Sequence, residues 1–255
     1  MKSSATTSLF AAACVAAASA AHAAEFTDKS SLVLFAGGNA DMPGSFRGQT
    51  VPFDTADPAG STVYHDLKFE DAYDHRYTMG AEFDYAVNSQ LAAFGRYGYS
   101  TFDGTDHVVG EFTPSPIDAA QPVNAKFGDT STQEFDVGAR YTFAPGERFR
   151  PFVGAALGAE HLGATRAEFA NVSGVGTTEV VLGKADTVFQ QRFETGVQYS
   201  PMQNFDLRLT AAASHVDADT RSNDPNLALV GLDNTQADVR AHWTYPVELG
   251  AAWHF

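Results

Sequence analysis

The sequence contains a single cysteine, Cys14, so neither a disulfide framework nor a cysteine-built metal site can be assembled from it. Basic residues are scarce. Sixteen Lys and Arg stand against 31 Asp and Glu in 255 residues, giving a net charge of −15 and a sequence pI near 4.7. Nucleic-acid binding needs a basic patch, so that class of partner is excluded. Long hydrophobic runs are missing as well. The longest, Leu9–Ala21, falls short of the about 20 residues that a membrane helix requires. A mean hydropathy of −0.19 likewise argues against a polytopic helical membrane protein. Wholesale disorder is excluded from the other direction, because 44% of residues are hydrophobic and only 18% are charged.

What is present begins with an export signal. Lys2 is followed by the apolar run Leu9–Ala21 and then by Ala21-His22-Ala23. A positive start, a short apolar core and small residues at Ala21 and Ala23 predict a signal peptide over residues 1–23, cleaved before Ala24. Cys14 lies inside it, so the mature chain, residues 24–255, has no thiol.

The mature chain is built from alternation. In Arg76–Val87, Tyr77, Met79, Ala81, Phe83, Tyr85 and Val87 share one face, and Arg76, Thr78, Gly80, Glu82, Asp84 and Ala86 the other. A helix would mix these sets, whereas a strand separates them completely. The same division recurs in Glu134–Phe143, Val188–Ser200, Asn204–Val216 and Thr244–Phe255. Weaker versions run over Leu91–Phe102, Arg150–Leu162 and Ser31–Ala40, the first with Phe94 on its polar face. Alternation does not decide the phase of the last of these.

Eight such segments are long enough to cross a bilayer as tilted strands. Their connections alternate in length. Asn88-Ser89-Gln90, Ala144–Phe149 and Pro201-Met202-Gln203 are short, and Asp41–His75, Asp103–Thr132, Gly163–Thr187 and Asp217–Trp243 are long. The long ones are read as loops without regular structure of their own. Tyr85, Tyr141, Phe143, Tyr199, Phe205, Trp253 and Phe255 cluster beside the short turns, and Tyr77, Tyr99, Phe135, Phe189 and Tyr245 lie near the other ends. Two aromatic girdles are what the membrane interfaces favour. The expected fold is all-β: an eight-stranded antiparallel up-and-down transmembrane barrel with short periplasmic turns and four long extracellular loops.

Glu248, Gly250, Trp253 and Phe255 at the end of the chain match the terminal β-signal of bacterial outer-membrane proteins: polar, any, Gly, any two, aromatic, any, aromatic. With its eight strands, the chain resembles the small outer-membrane barrels of the OmpA transmembrane-domain, OmpX, opacity and OmpW type. The resemblance is architectural and covers residues 25–255. It implies residence in the bacterial outer membrane, contact with its lipid and lipopolysaccharide, recognition by the barrel-assembly machinery through the terminal signal, and a monomeric state.

With the apolar stripes toward lipid, the lumen receives Arg96, Arg140, Arg192 and Arg208 together with Glu82, Asp84, Glu134, Asp136, Glu160, Glu194, Asp206 and Glu248. A barrel of this size is just wide enough for its side chains to fill. Buried charges must be paired, so the reading is a salt-bridge plug, with a narrow ion or solute path as the alternative. No cofactor and no metal site are expected. The histidines lack H-E-x-x-H or H-x-H spacing, and Asp217-Ala218-Asp219 opens like a calcium loop but continues with Arg221 and Ser222 where that loop needs other residues. Some barrels of this kind are lipid A deacylases with His and Ser two apart on one strand. Here Ser214 and His215 are adjacent and point to opposite faces, so no enzyme is expected. The function expected is a structural or surface-interaction barrel with a salt-bridge-filled lumen. The alternative is a small pore or an OmpW-like conduit for ions or small hydrophobic molecules.

Overall fold

The computed structural model describes residues 29–39, 45–52, 61–113, 119–170, 176–217, 224–230, 232, 237–238 and 241–255. The export signal, with Ala21 and Ala23, and the segment from Ala218 to Ser222 lie outside the described residues.

Eight strands carry the alternation: β1 (Ser30–Asn39), β2 (Tyr73–Ala86), β3 (Leu91–Gly104), β4 (Thr130–Thr142), β5 (Phe149–Leu162), β6 (Asp186–Met202), β7 (Phe205–Val216) and β8 (Val247–His254). Each pairs antiparallel with the next, and β8 pairs back onto β1 from Ser31 opposite His254 to Gly38 opposite Val247. The sheet is closed. Closure leaves no edge strand among the eight, so every strand has a ladder on both sides.

Burial follows the period of two. On β4, Glu134, Asp136 and Arg140 are buried, while Phe135, Val137 and Tyr141 are exposed, Val137 to 69%. The exposed side chains of neighbouring strands join into a continuous apolar belt that includes Phe83, Tyr97, Leu157, Phe193, Leu209 and Leu249. β1 explains its own ambiguous pattern. Leu32 and Leu34 face outward, but Val33 and Phe35 face inward, so both faces are apolar.

The short turns close one end. Asn88 accepts the amides of Gln90 and Leu91 through its side-chain oxygen, both at 2.9 Å, and so fixes the turn between β2 and β3. Between β4 and β5, Ala144 and Gly146 both take positive φ, which glycine adopts without cost. The third turn is tighter than the sequence pattern suggests: β6 continues to Met202, leaving Gln203 and Asn204 to reverse the chain. The last strand also differs from its expected span. Pro246 brings no amide, so the ladder is interrupted between His242–Thr244 and β8, although Ala212 still donates to the Pro246 carbonyl at 3.0 Å.

The larger departure is at the other end, where the expectation of irregular loops fails. Asp106–Thr113 and Gln121–Phe127 form a hairpin continuing from β3 into β4, and Thr165–Ala170 and Thr178–Gly183 form another between β5 and β6. The two hairpins pair with each other, and Ser61–Tyr64 and Thr50–Pro52 from the first connection extend them to six strands. Beneath this sheet lies a buried cluster that includes Phe46, Tyr64, Phe69, Tyr73, Phe102, Val123, Phe127, Phe169 and Leu182, joined by Leu227, Val230 and Leu232 of the fourth connection. The four long connections form one cap because none alone has enough apolar surface to bury.

Candidate functional site

The interior of the barrel is charged. All twelve charged residues assigned to the lumen from the sequence are buried, Arg192 to 1% exposure. They come from seven different strands, so their partners are set by the width of the barrel rather than by neighbours in sequence.

Four arginines anchor a continuous network. Arg96 on β3 forms a bidentate pair with Glu248 on β8, its Nη1 and Nη2 donating at 3.0 and 2.8 Å. Arg192 on β6 donates to the same Glu248 at 2.8 Å and lies 3.5 Å from Glu194. Glu194 in turn accepts from Arg140 on β4, at 2.8 Å from Nε and 2.6 Å from Nη2. Arg140 also reaches Glu82 at 3.0 Å and Asp84 at 3.1 Å on β2, and Arg208 on β7 is paired with both of these carboxylates. Arg96, Glu248, Arg192, Glu194, Arg140, the Glu82–Asp84 pair and Arg208 thus form one chain of ion pairs touching six strands. Bidentate and multiply shared guanidinium contacts suit arginine, whose planar fork has five donors.

Three phenylalanines and the glycines opposite them hold the guanidinium groups in place. A Cβ on Gly80 would collide with the Phe35 ring, one on Gly138 would come 2.7 Å from Phe94, and one on Gly196 would come 2.5 Å from Phe152. Each ring therefore lies flat in the space that a glycine leaves on the adjacent strand. The exposed π-face then takes a cation: Arg96 stands 3.9 Å from the Phe35 centroid, and Arg140 lies 4.6 Å from Phe94 and 4.9 Å from Phe152. Gly154 serves the same purpose for a carboxylate, since a Cβ there would meet Glu194 Oε1 at 2.8 Å.

Asp206 is set apart near the turn end. It accepts from Arg150 at 2.6 Å, from His254 Nε2 at 2.5 Å and from Gln198. Arg150 also donates to Ser200 at 2.6 Å, and these groups border a polar cleft of about 620 Å³ with Arg148 and Asn204. Alternation places Gln198 and His254 on the polar faces of their strands, but sequence reasoning missed Arg150 as a member of the interior set and did not join the three to Asp206. The signal was available, because Arg150 is in phase with Gly154 and Glu160 on β5. Of the three flat phenylalanines the sequence marks only Phe94, on the polar face of its segment; the inward direction of Phe35 and Phe152 runs against the expectation that aromatics face lipid.

The remaining inward acids are Glu134 and Asp136 on β4 and Glu160 on β5. Glu134 lies 3.5 Å from Arg96, and Asp136 3.9 Å from it. Glu134 stands directly opposite Glu160 across the β4–β5 ladder. Of the four terminal-signal positions, Glu248 is the shared acceptor at the hub of the network. Gly250 admits Val33, whose Cγ1 would lie 3.0 Å from an added Cβ. Trp253 is exposed in the belt and packs edge-on against Phe205 at 5.5 Å, and the Phe255 amide donates to Ser30 at 2.9 Å.

Ser214 is buried and His215 packs against Trp243, their ring centroids 5.0 Å apart, so the two point to opposite sides of β7. Among the described residues no group of three acidic, cysteine or histidine side chains converges as a metal cage.

A closed eight-stranded antiparallel barrel with an apolar exterior and a charged interior is of the transmembrane β-barrel class, since only that class reverses the usual placement of polar and apolar faces. Among solved structures, the chain is similar to Neisserial surface protein A, with 11% identity, a TM-score of 0.40 and coverage of 90% of this chain and 98% of that one. It is similar to Ail, the attachment invasion locus protein of Yersinia pestis, with 13% identity, a TM-score of 0.41 and coverage of 89% and 98%. The outer membrane protease OmpT of Escherichia coli matches at 8% identity and a TM-score of 0.43, over 91% and 99%. No family model matches the sequence, and no curated protein matches it.

Proposed function

We propose that this chain is a bacterial outer-membrane barrel whose lumen is closed by the ion-pair network and whose cap presents a rigid outer surface to lipopolysaccharide, host surfaces or other partners. One observation carries the reading: the ion-pair chain from Arg96 through Glu248, Arg192, Glu194 and Arg140 to Arg208 crosses the barrel and ties six strands together. A path for ions would need these groups to separate, and separation leaves buried charge uncompensated. The apolar cluster of the cap adds a second barrier above the first, because ions do not enter a dry hydrophobic core.

The test is single-channel recording in a planar bilayer. The wild type is expected to pass little or no current, and Arg140→Ala and Arg192→Ala to show leak, because the freed carboxylates draw in water. A steady, large, cation-selective current in the wild type would instead make this a pore. Glu248, Gly250, Trp253 and Phe255 are assigned to assembly on the same reading. Replacing Trp253 and Phe255 with Ala is expected to reduce the amount of heat-modifiable protein in the outer membrane while leaving export intact.

A further inference from the structure

Acid dominates this chain, but not at the end of the barrel where the short turns lie. Asn88-Ser89-Gln90 and Gln203-Asn204 carry no charge, and the turn between β4 and β5 carries one acid, Glu147, beside one base, Arg148. Both are exposed, and neither side chain has a hydrogen bond or ion pair among the described residues. Ser200 donates its amide to the Arg148 carbonyl at 2.9 Å, so the pairing of β5 with β6 runs on through Arg148. The period of two then puts Arg148 on the same side as Arg150.

Both arginines line the polar cleft of about 620 Å³ at this mouth. That volume is within the range of small-molecule sites, about 300–1,000 Å³. Asp206 also lines the cleft, but it is already saturated: Arg150 donates at 2.6 Å, His254 at 2.5 Å, and Gln198 adds a third bond. Arg150 is not saturated. It reaches Asp206 and Ser200 through Nη2 alone. Of its other donors, Nε is buried, whereas Nη1 is open, the side chain keeping 24% of its exposure. The cleft thus holds two guanidinium groups with donors to spare, against Glu147 as the one free acid among its described lining residues.

Phe149, between the two arginines, faces the other way. It is exposed in the belt and stacks on Tyr199, with ring centroids 4.7 Å apart. Rings of this kind form the girdle at the membrane interface, at the level of the lipid headgroups. Arg148 and Arg150 therefore stand at headgroup depth on the periplasmic side, one residue either side of a girdle ring. We infer that the cleft binds a phosphate between the Arg148 and Arg150 guanidinium groups, its expected source being the headgroup of a periplasmic-leaflet phospholipid. The planar fork of arginine matches phosphate oxygens, two donors to two acceptors. Met202, exposed at the lip of the same cleft, gives the adjoining glycerol an apolar edge. The inference needs the closed sheet and its girdle but not a sealed lumen, so a conducting wild type would leave it standing.

The test is calorimetric titration of inorganic phosphate into the full barrel in a maltoside detergent, which has no phosphate of its own. Chloride at the same ionic strength is the control. Saturable binding of one phosphate per barrel is expected. Arg148→Ala should weaken it about tenfold, the effect of losing one charge-assisted contact. Glu147→Gln should tighten it a few-fold, because the one free opposing charge is gone. Both positions are exposed on a turn, and an unchanged heat-induced mobility shift shows that each variant is folded. Phosphatidylglycerol added in mixed micelles is then expected to displace the phosphate, which assigns the site to a lipid headgroup. Phosphate that stays bound against the lipid supports the site with a soluble phosphate as its ligand. Binding no stronger than that of chloride would overturn the site, as would binding unchanged by Arg148→Ala. A wild type without any heat-induced mobility shift would count against the barrel itself and is distinguishable from all of these.

Discussion

The lumen and the cap are stacked in one molecule and held together by opposite means. The lumen buries charge and satisfies it across the barrel, with guanidinium groups laid on phenylalanine rings and shared among carboxylates from facing strands. Among its described residues the cap buries no comparable network and packs aromatic edges against faces, as in Tyr73 with Phe102 and Phe127 and Tyr64 with Phe169. Solvent explains the contrast. Around the barrel the exterior is lipid, so the apolar residues are drawn outward and polar ones are left for the interior. Above the membrane the exterior is water, and the same chain reverts to an apolar core with polar surface. The inversion occurs within single strands: β3 carries Arg96 inward at one level and Phe102 inward two residues beyond Ser100.

The contrast can be broken most severely from the lumen side. Arg140→Ala removes the group that joins Glu82, Asp84 and Glu194, and is expected to cost about 3–5 kcal/mol, because three buried carboxylates each lose one of the two arginines they share. The loss should appear as a lower temperature for the heat-induced mobility shift of the whole barrel.

A comparable deletion in the cap should behave differently. Phe169→Ala opens a cavity under the six-stranded sheet and is expected to cost the cap about 3–5 kcal/mol. The barrel ladder below does not depend on it. Proteolysis should therefore cut the capping hairpins sooner while the protected barrel fragment keeps its heat-modifiable mobility. Equal loss of cap and barrel would show that the two unfold as one unit.

A milder change sharpens the same boundary. Exchanging Arg192 and Glu248 together for Met and Gln removes one charge of each sign; the glutamine still offers Arg96 an acceptor oxygen and Glu134 lies 3.5 Å from that arginine, so stability is expected to change by about 1–2 kcal/mol. Arg192→Ala alone should cost more than the pair, and a double-mutant cycle on the unfolding midpoint measures the difference.

The smallest effect is expected at Tyr64, whose hydroxyl donates to the Val230 carbonyl at 2.5 Å and ties the fourth connection to the first. Tyr64→Phe should cost about 1 kcal/mol, read as faster proteolysis within the fourth connection. Burial pushes this phenol well above its ordinary value of 10.0. A raised folded-state value means that the contribution is complete below pH 10 and falls as pH rises above it, so cap protection should weaken in strong alkali, and less so in the Phe variant.

Much of the barrel was legible because a strand's side chains alternate whatever it pairs with. Arg76–Val87 and Glu134–Phe143 separate their faces so completely that lipid-facing and inward sets could be read residue by residue. β1 is less legible, since Val33 and Phe35 are apolar and inward, and β8 is shorter than the alternation of Thr244–Phe255 suggests because Pro246 interrupts the ladder. The cap was missed although its hairpins also alternate, as in Val123, Ala125 and Phe127 or Ala167 and Phe169. Those runs are short, and each becomes a strand only when a neighbouring connection supplies the partner.

The sequence by itself determined the number of barrel strands, the short turns and which charged residues would face inward, because these depend on a period of two and on turn chemistry, both local. It did not determine that Arg96 and Arg192 would share Glu248, that Phe35 would lie over Gly80, or that four connections would meet over one core. Those are distances across a closed barrel. They depend on the stagger at which β8 returns to β1 and on how far β3 to β6 rise past the rim, which only the closed tertiary structure sets.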